Sequence, residues 1–130
     1  FRAFVLAVLA LVTAYLAVSG GLTLADEHDA ATDPEFLAFW DRFSEAVALD
    51  DRDAVRDLTR LPILVEGESY EDAAFLERYD WLFTSSEKAC FLNETPMPDG
   101  DRYTLFCGGE VFVFGNGDGG YRLTDIGVTD

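Results

Sequence analysis

Apolar positions between Phe36 and Val47 recur at helical spacing. Phe36, Phe39, Trp40, Phe43 and Val47 fall on one face, and Asp41, Arg42, Ser44 and Glu45 take the other. Thr32 and Glu35 form a capping box ahead of this run, with Pro34 near the first helical position. Asp50-Asp51 breaks and recaps the chain, so residues 53–60 (DAVRDLTR) predict a short second helix with Val55 and Leu58 inward, ended by Pro62. Ile63-Leu64-Val65 predicts a short strand. Ser69 with Asp72 opens a third helix whose stripe is Phe75, Leu76, Tyr79 and Phe83. From about Lys88 the period becomes strand-like. Residues 89–93 (ACFLN), 102–107 (RYTLFC), 110–115 (EVFVFG) and 121–128 (YRLTDIGV) predict four strands, separated by the turn formers PMPDGD, Gly108-Gly109 and GNGDGG. Helices followed by an antiparallel meander make an α+β fold.

A different pattern precedes this domain. Residues 3–25 carry no charge, and their densest apolar part, Ala3 to Val18, follows Arg2. That is the layout of a signal peptide, with Thr23-Leu24-Ala25 as a cleavage site before Asp26 and a second candidate site after Gly20. An uncleaved membrane anchor is the alternative, since a bilayer needs about 20 apolar residues. Ser19-Gly20-Gly21 interrupts the run and favours cleavage. Either way the basic residue precedes the segment and acidic residues follow it, so residues 26–130 are expected outside the cytoplasm, in a periplasmic or extracellular setting. Residues 26–33 read as a polar lead-in and 34–130 as a single α+β domain.

The chain has 9 Lys and Arg against 25 Asp and Glu, a net charge of −16. Removing residues 1–25 removes only Arg2 among the charges, leaving 8 against 25, or −17. This argues against nucleic acid, which is held by clustered Lys and Arg, and against an anionic membrane surface, leaving the N-terminal segment as the only membrane contact. The acidic residues are scattered, as on a strongly hydrated surface.

Cys90 and Cys107 are the only cysteines. If Asp99-Gly100 centres a hairpin, position 90 lies opposite about 109, and a small register slip reaches 107. In an exported domain such a pair reads as a disulfide. His28 has a metal reading tied to the cleavage site. A mature chain beginning Asp26-Glu27-His28 presents an amine, two amides and an imidazole to Cu(II) or Ni(II); a solvated tail histidine is the plainer reading, with no cofactor. Gly115-x-Gly117-x-x-Gly120 matches a dinucleotide fingerprint in letters only, because strands flank it on both sides. Asn116 and Asp118 lack the acidic residue that would complete a calcium loop. Glu66 and Glu68, two apart at a strand end, would share a face, most simply as a solvated edge.

Phe39-Trp40-x-x-Phe43, Asp53-x-Val55-x-x-Leu58, Pro62 before a short strand, a third helix and the terminal meander together resemble the nuclear-transport-factor-two-like (cystatin-like, SnoaL-type) superfamily, here as a secreted bacterial member. The resemblance covers residues 33–127 in order of elements. It implies N-terminal helices packed on a curved antiparallel sheet, a cone-like α+β roll. It also implies a pocket inside the cone, for which Trp40, Tyr79, Tyr103 and Phe112 are the candidates, and a homodimer through the sheet if a row of Phe or Val is exposed there. Enzymes of the superfamily set carboxylates and tyrosines in that cavity, a role open to Asp80, Glu110 and Tyr103. The expected function is an exported non-catalytic binding module, with a small apolar ligand in the cone or a protein on the sheet. The alternative is a small hydrolase, dehydratase or isomerase using a cavity carboxylate.

Overall fold

Helix α1 (Pro34–Ala48) begins one residue later than the capping box implies. Asp33, not Thr32, is the N-cap, and its Oδ1 accepts from the Glu35 amide at 2.9 Å, with Pro34 in the first turn. The anticipated stripe is the buried one, joined by Ala46. The computed structural model describes residues 32–128. The signal or anchor segment, most of the polar lead-in and His28 lie outside those residues. From Thr32 onward the chain forms one compact unit.

Asp51 caps α2 (Arg52–Asp57) by accepting from the Ala54 amide at 3.2 Å. That helix ends well before Pro62, because the chain enters strand β1 (Thr59–Val65) and Pro62 lies within it. A two-residue turn, Glu66-Gly67, leads to β2 (Glu68–Tyr70), so Ser69 belongs to a strand and caps nothing. The expected third helix is two short ones, α3 (Asp72–Glu77) and α4 (Tyr79–Leu82), broken at Arg78.

The largest departure lies at residues 89–93. They belong to helix α5 (Ser85–Asn93), not to a strand. The apolar run Cys90-Phe91-Leu92 reads as a strand locally. In the fold only Phe91 and Glu87, four apart, are buried, while Leu92 is exposed. The first strand of the meander is instead β3 (Met97–Asp99), followed by β4 (Arg102–Cys107), β5 (Glu110–Gly117) and β6 (Gly120–Val128).

The result is an α+β fold with helices packed on a six-stranded sheet of order β2-β1-β6-β5-β4-β3. The sheet is mixed rather than antiparallel throughout. β1 lies parallel to β6, tied by Leu123 N–H to Leu58 O at 2.9 Å and Glu66 N–H to Ile126 O at 2.8 Å. This arises because β1 arrives from the helical half of the chain and must dock against the last strand. A register shift at Val113/Phe114 interrupts the β5–β6 ladder, the kind of irregularity that bends a sheet. Strand alternation then divides the side chains. Tyr103, Leu105, Phe112, Phe114, Leu123 and Ile126 face the helices, and their alternate neighbours face away.

Candidate functional site

The inner face of the sheet is filled with rings. Tyr103 stacks on Phe36 with centroids 3.7 Å apart, Trp40 meets Phe91 edge-on at 5.6 Å, Phe112 meets Phe91 at 4.9 Å, and Tyr79 lies against Phe83 at 4.9 Å. Trp40, Tyr79, Tyr103 and Phe112 are thus brought into one core. None of them lines either of two surface depressions. One, of about 220 Å³, lies between α1 and the β5–β6 turn and includes Glu35, Arg42 and Arg122. The other, of about 320 Å³, lies over Met97, Thr104 and Phe106. Aromatic rings at helical and alternating spacing pack against one another before they can line anything, which is the physical reason these four are core.

Two of the buried tyrosines hold the start of α1. Tyr103 Oη accepts from the Asp33 amide at 2.9 Å, and Tyr121 Oη donates to Asp33 Oδ2 at 2.7 Å. Burial, reinforced by that bond, pushes the Tyr121 hydroxyl pKa well above its usual range. Tyr79 is different. Its hydroxyl is buried with no hydrogen-bond partner. Burial first, then the Asp50 carboxylate, pushes its pKa up to about 12, while Arg52, stacked over the ring at 5.0 Å, pulls the other way.

The carboxyls named as alternatives do not converge on a tyrosine. Asp80 is exposed and paired with Arg52 at 2.7 Å. Glu110 sits at the far end of β5 from Tyr103, four residues along the ladder, or roughly 13 Å. Its partner is another carboxyl, Glu87, which is buried at the start of α5 and receives the Thr84 hydroxyl. One Glu110 oxygen is buried without a hydrogen bond. Burial, then the Glu87 charge, with Glu66 adding to it, pushes Glu110 up to about 7. Glu66 and Glu68 are not two apart on a strand; they flank Gly67 across the β1–β2 turn. Glu87 drew no notice in the sequence, although Thr84-x-x-Glu87 is itself a capping-box spacing.

Cys90 and Cys107 form a disulfide with Cα atoms 5.8 Å apart. The pairing is the expected one, but it joins helix α5 to strand β4 rather than two strands of a hairpin. Among the described residues no three His, Cys, Asp or Glu side chains are grouped closely enough to hold a metal ion. No helix among them is long and apolar enough to cross a membrane. Gly115, Gly117 and Gly120 belong to the β5–β6 hairpin, with strands before and after.

The outward face of the sheet carries an apolar band. Cross-strand register sets Met97 beside Thr104, Thr104 beside Val113, and Phe106 beside Val111. Asp125 of β6 ends the band, standing between Val113 and the exposed Leu64 of β1. Met97, Phe106 and Leu64 are exposed, at 59%, 53% and 46%. At the hairpin end of the same face Arg102, Gly115 and Arg122 are direct cross-strand neighbours on β4, β5 and β6. Sequence reasoning missed this set. Its signal was each arginine's place beside an inward tyrosine, in Arg102-Tyr103 and Tyr121-Arg122.

Comparison of the chain with known protein families, with curated proteins and with solved structures finds no match.

Proposed function

We propose that this chain is an exported, non-catalytic interaction module that engages a protein partner through the outward face of its sheet. The observation that carries the reading is the contrast between the two faces. The inner face is packed with aromatic rings, whereas the outward face groups Met97, Phe106, Val111 and Val113 on β3 to β5 of a molecule of net charge −16. Apolar surface grouped in this way on an otherwise hydrated, charged domain marks a contact surface. Export is supported by the charge-free segment of residues 3–25 and by the disulfide, which persists in oxidising compartments. The succession of two helices, a short strand, further helices and a terminal meander supports the resemblance to the nuclear-transport-factor-two-like superfamily.

One observation favours the enzymatic alternative: Glu110 is held up to about 7, near the value a general acid uses. It faces Glu87 rather than a tyrosine, and it lines neither depression, so a substrate has no evident seat beside it.

The test places a photo-crosslinking residue at Phe106 or Val111, and at Trp81 or Leu92 as controls, which are exposed apolar positions on helices. In cells that make the protein, the sheet positions are expected to give a discrete protein adduct that the helix positions do not. Equal crosslinking from all four positions overturns the reading.

A further inference from the structure

Glu35, Ala38, Phe39 and Arg42 are spaced i, i+3, i+4 and i+7, so they share one side of α1. Phe39 is turned into the core, and Glu35, Ala38 and Arg42 form the exposed flank beside it. That flank faces Gly119, Gly120, Tyr121 and Arg122, at the start of β6, across the depression of about 220 Å³. Drug-sized pockets begin at roughly 300 Å³, so this one seats a smaller molecule.

The buried rings of Phe39 and Tyr121 close its floor. Asp33 lies close by, but both its carboxylate oxygens are engaged, by the Glu35 amide and the Tyr121 hydroxyl. Arg122 donates from Nη1 to Tyr121 O at 2.7 Å, which fixes its guanidinium along the turn. A Cβ on Gly119 would stand 3.3 Å from Arg122 Nη2, and one on Gly120 would stand 3.9 Å from Nη1. The two glycines thus leave room for that guanidinium at the rim.

Glu35, Arg42 and Arg122 all line the depression, and none of them takes part in an ion pair among the described residues. Other charges of this chain do pair: Arg52 with Asp80, Arg56 with Asp53, Asp57 and Asp72, and Lys88 with Asp50. Arg60, Arg78 and Arg102 are also outside these ion pairs. What sets Arg42 and Arg122 apart is an unpaired carboxylate in the same depression. Opposite charges that share a depression without meeting leave space for a molecule that carries both.

Glu35 and Arg42 lie about 10 Å apart along the helix axis, so the two charges of that molecule are separated by several carbons. A second carboxylate on it would face Glu35, and a second ammonium would face the arginines. The field of a chain with net charge −16 opposes the approach of an anion and draws any cation. A molecule of zero net charge is selected by the local contacts alone.

We propose that this depression binds a small zwitterion. Arg42 and Arg122 take its carboxylate in their guanidinium forks, Glu35 takes its ammonium, and Ala38 with the edge of Phe39 carries its aliphatic stem. The site is separate from the outward apolar face and stands whether or not a protein docks there.

The test follows amide proton–nitrogen correlation spectra of the whole protein, titrated with ε-aminocaproate, caproate and hexylamine. ε-Aminocaproate is expected to shift the amides of Ala38, Gly119 and Gly120. It should bind about fivefold more tightly than caproate, the scale of one exposed ion pair. Glu35→Gln should bring those two ligands level. Arg42→Gln and Arg122→Gln should each weaken ε-aminocaproate by about fivefold, while Arg102→Gln, outside the depression, leaves it unchanged. Ala38→Leu keeps the helix and every charge but fills the space, and should remove binding. The thermal midpoint checks folding; Glu35, Ala38 and Arg42 are exposed, so their variants are expected to keep it. Hexylamine as the tightest ligand would assign binding to the diffuse negative field and overturn the inference. Equal binding of caproate and ε-aminocaproate to the unaltered protein overturns the role of Glu35, and with it the zwitterion. Saturable shifts that persist in the Ala38→Leu variant place the ligand elsewhere, and the lack of any saturable shift with ε-aminocaproate removes the site altogether.

Discussion

The carboxylate of Asp33 and the hydroxyl of Tyr121, 88 residues apart, are joined by a 2.7 Å hydrogen bond. The same aspartate caps α1 through Oδ1, and its amide donates to Tyr103 Oη. One residue thus terminates a helix and fastens it to β4 and β6. Asp33→Ala is expected to lose about 2 kcal/mol, a cap worth about 1 and a buried hydrogen bond worth about 1. Tyr121→Phe should lose only the second part. Urea denaturation of both variants checks the division, and equal losses would show that the cap contributes nothing.

Glu110 supplies a pH dependence of defined sign. Its folded pKa of about 7 lies above the ordinary 4.5. Between those values the folded state binds more protons than the unfolded one, so the stability this group contributes is fully present below pH 4.5 and is lost as pH rises through 7. After discounting for its half-open setting, the loss is about 2 kcal/mol. Glu110→Gln should flatten the profile from pH 5 to 8 and be the more stable protein at pH 8. A wild-type profile that rises over this range would refute the pairing with Glu87.

Tyr79 carries a buried hydroxyl with no partner. Tyr79→Phe keeps the ring against Phe83 and beneath Arg52 while removing that group. The variant is expected to be more stable by about 1 kcal/mol, since an unsatisfied buried polar group costs free energy. A loss of stability would mean that the hydroxyl is bonded after all, with the Asp50 carboxylate as its acceptor.

The disulfide closes a loop with a sequence separation of 17. Constraining so short a loop in the unfolded chain is worth about 3 kcal/mol. Reduction, or Cys90→Ala with Cys107→Ala, should lower the unfolding midpoint accordingly and leave the far-ultraviolet spectrum unchanged at room temperature. The intact mass of the native protein should rise by about two hydrogens on reduction.

The turn Glu66-Gly67 has positive φ at both residues, +51° and +84°. That geometry suits Asn-Gly, and a glutamate there is strained while adding charge beside Glu110. Glu66→Asn is expected to stabilise the protein by roughly 1 kcal/mol and to lower the pKa of Glu110, read by carboxyl NMR titration. An unmoved Glu110 would remove Glu66 from its surroundings.

What could be read without the fold was what depends on near neighbours in the chain. The stripe from Phe36 to Val47 and the strands expected at 102–107, 110–115 and 121–128, which the fold extends to Gly117 and back to Gly120, are local properties, because a helix or strand face is set by spacing alone. The Cys90–Cys107 pair was legible from count and compartment. The residues carrying the proposed surface were not. A run such as Ala89-Cys90-Phe91-Leu92-Asn93 is too short for its period to decide between helix and strand, and burial of Phe91 and Glu87 against the rest of the fold settled it as helix. Tertiary structure alone placed β1 beside β6, set Glu87 against Glu110, and put Arg102 and Arg122 on either side of Gly115. Each of these joins residues from distant parts of the chain. Their meeting depends on cross-strand register, which a one-residue slip would have turned to the opposite face.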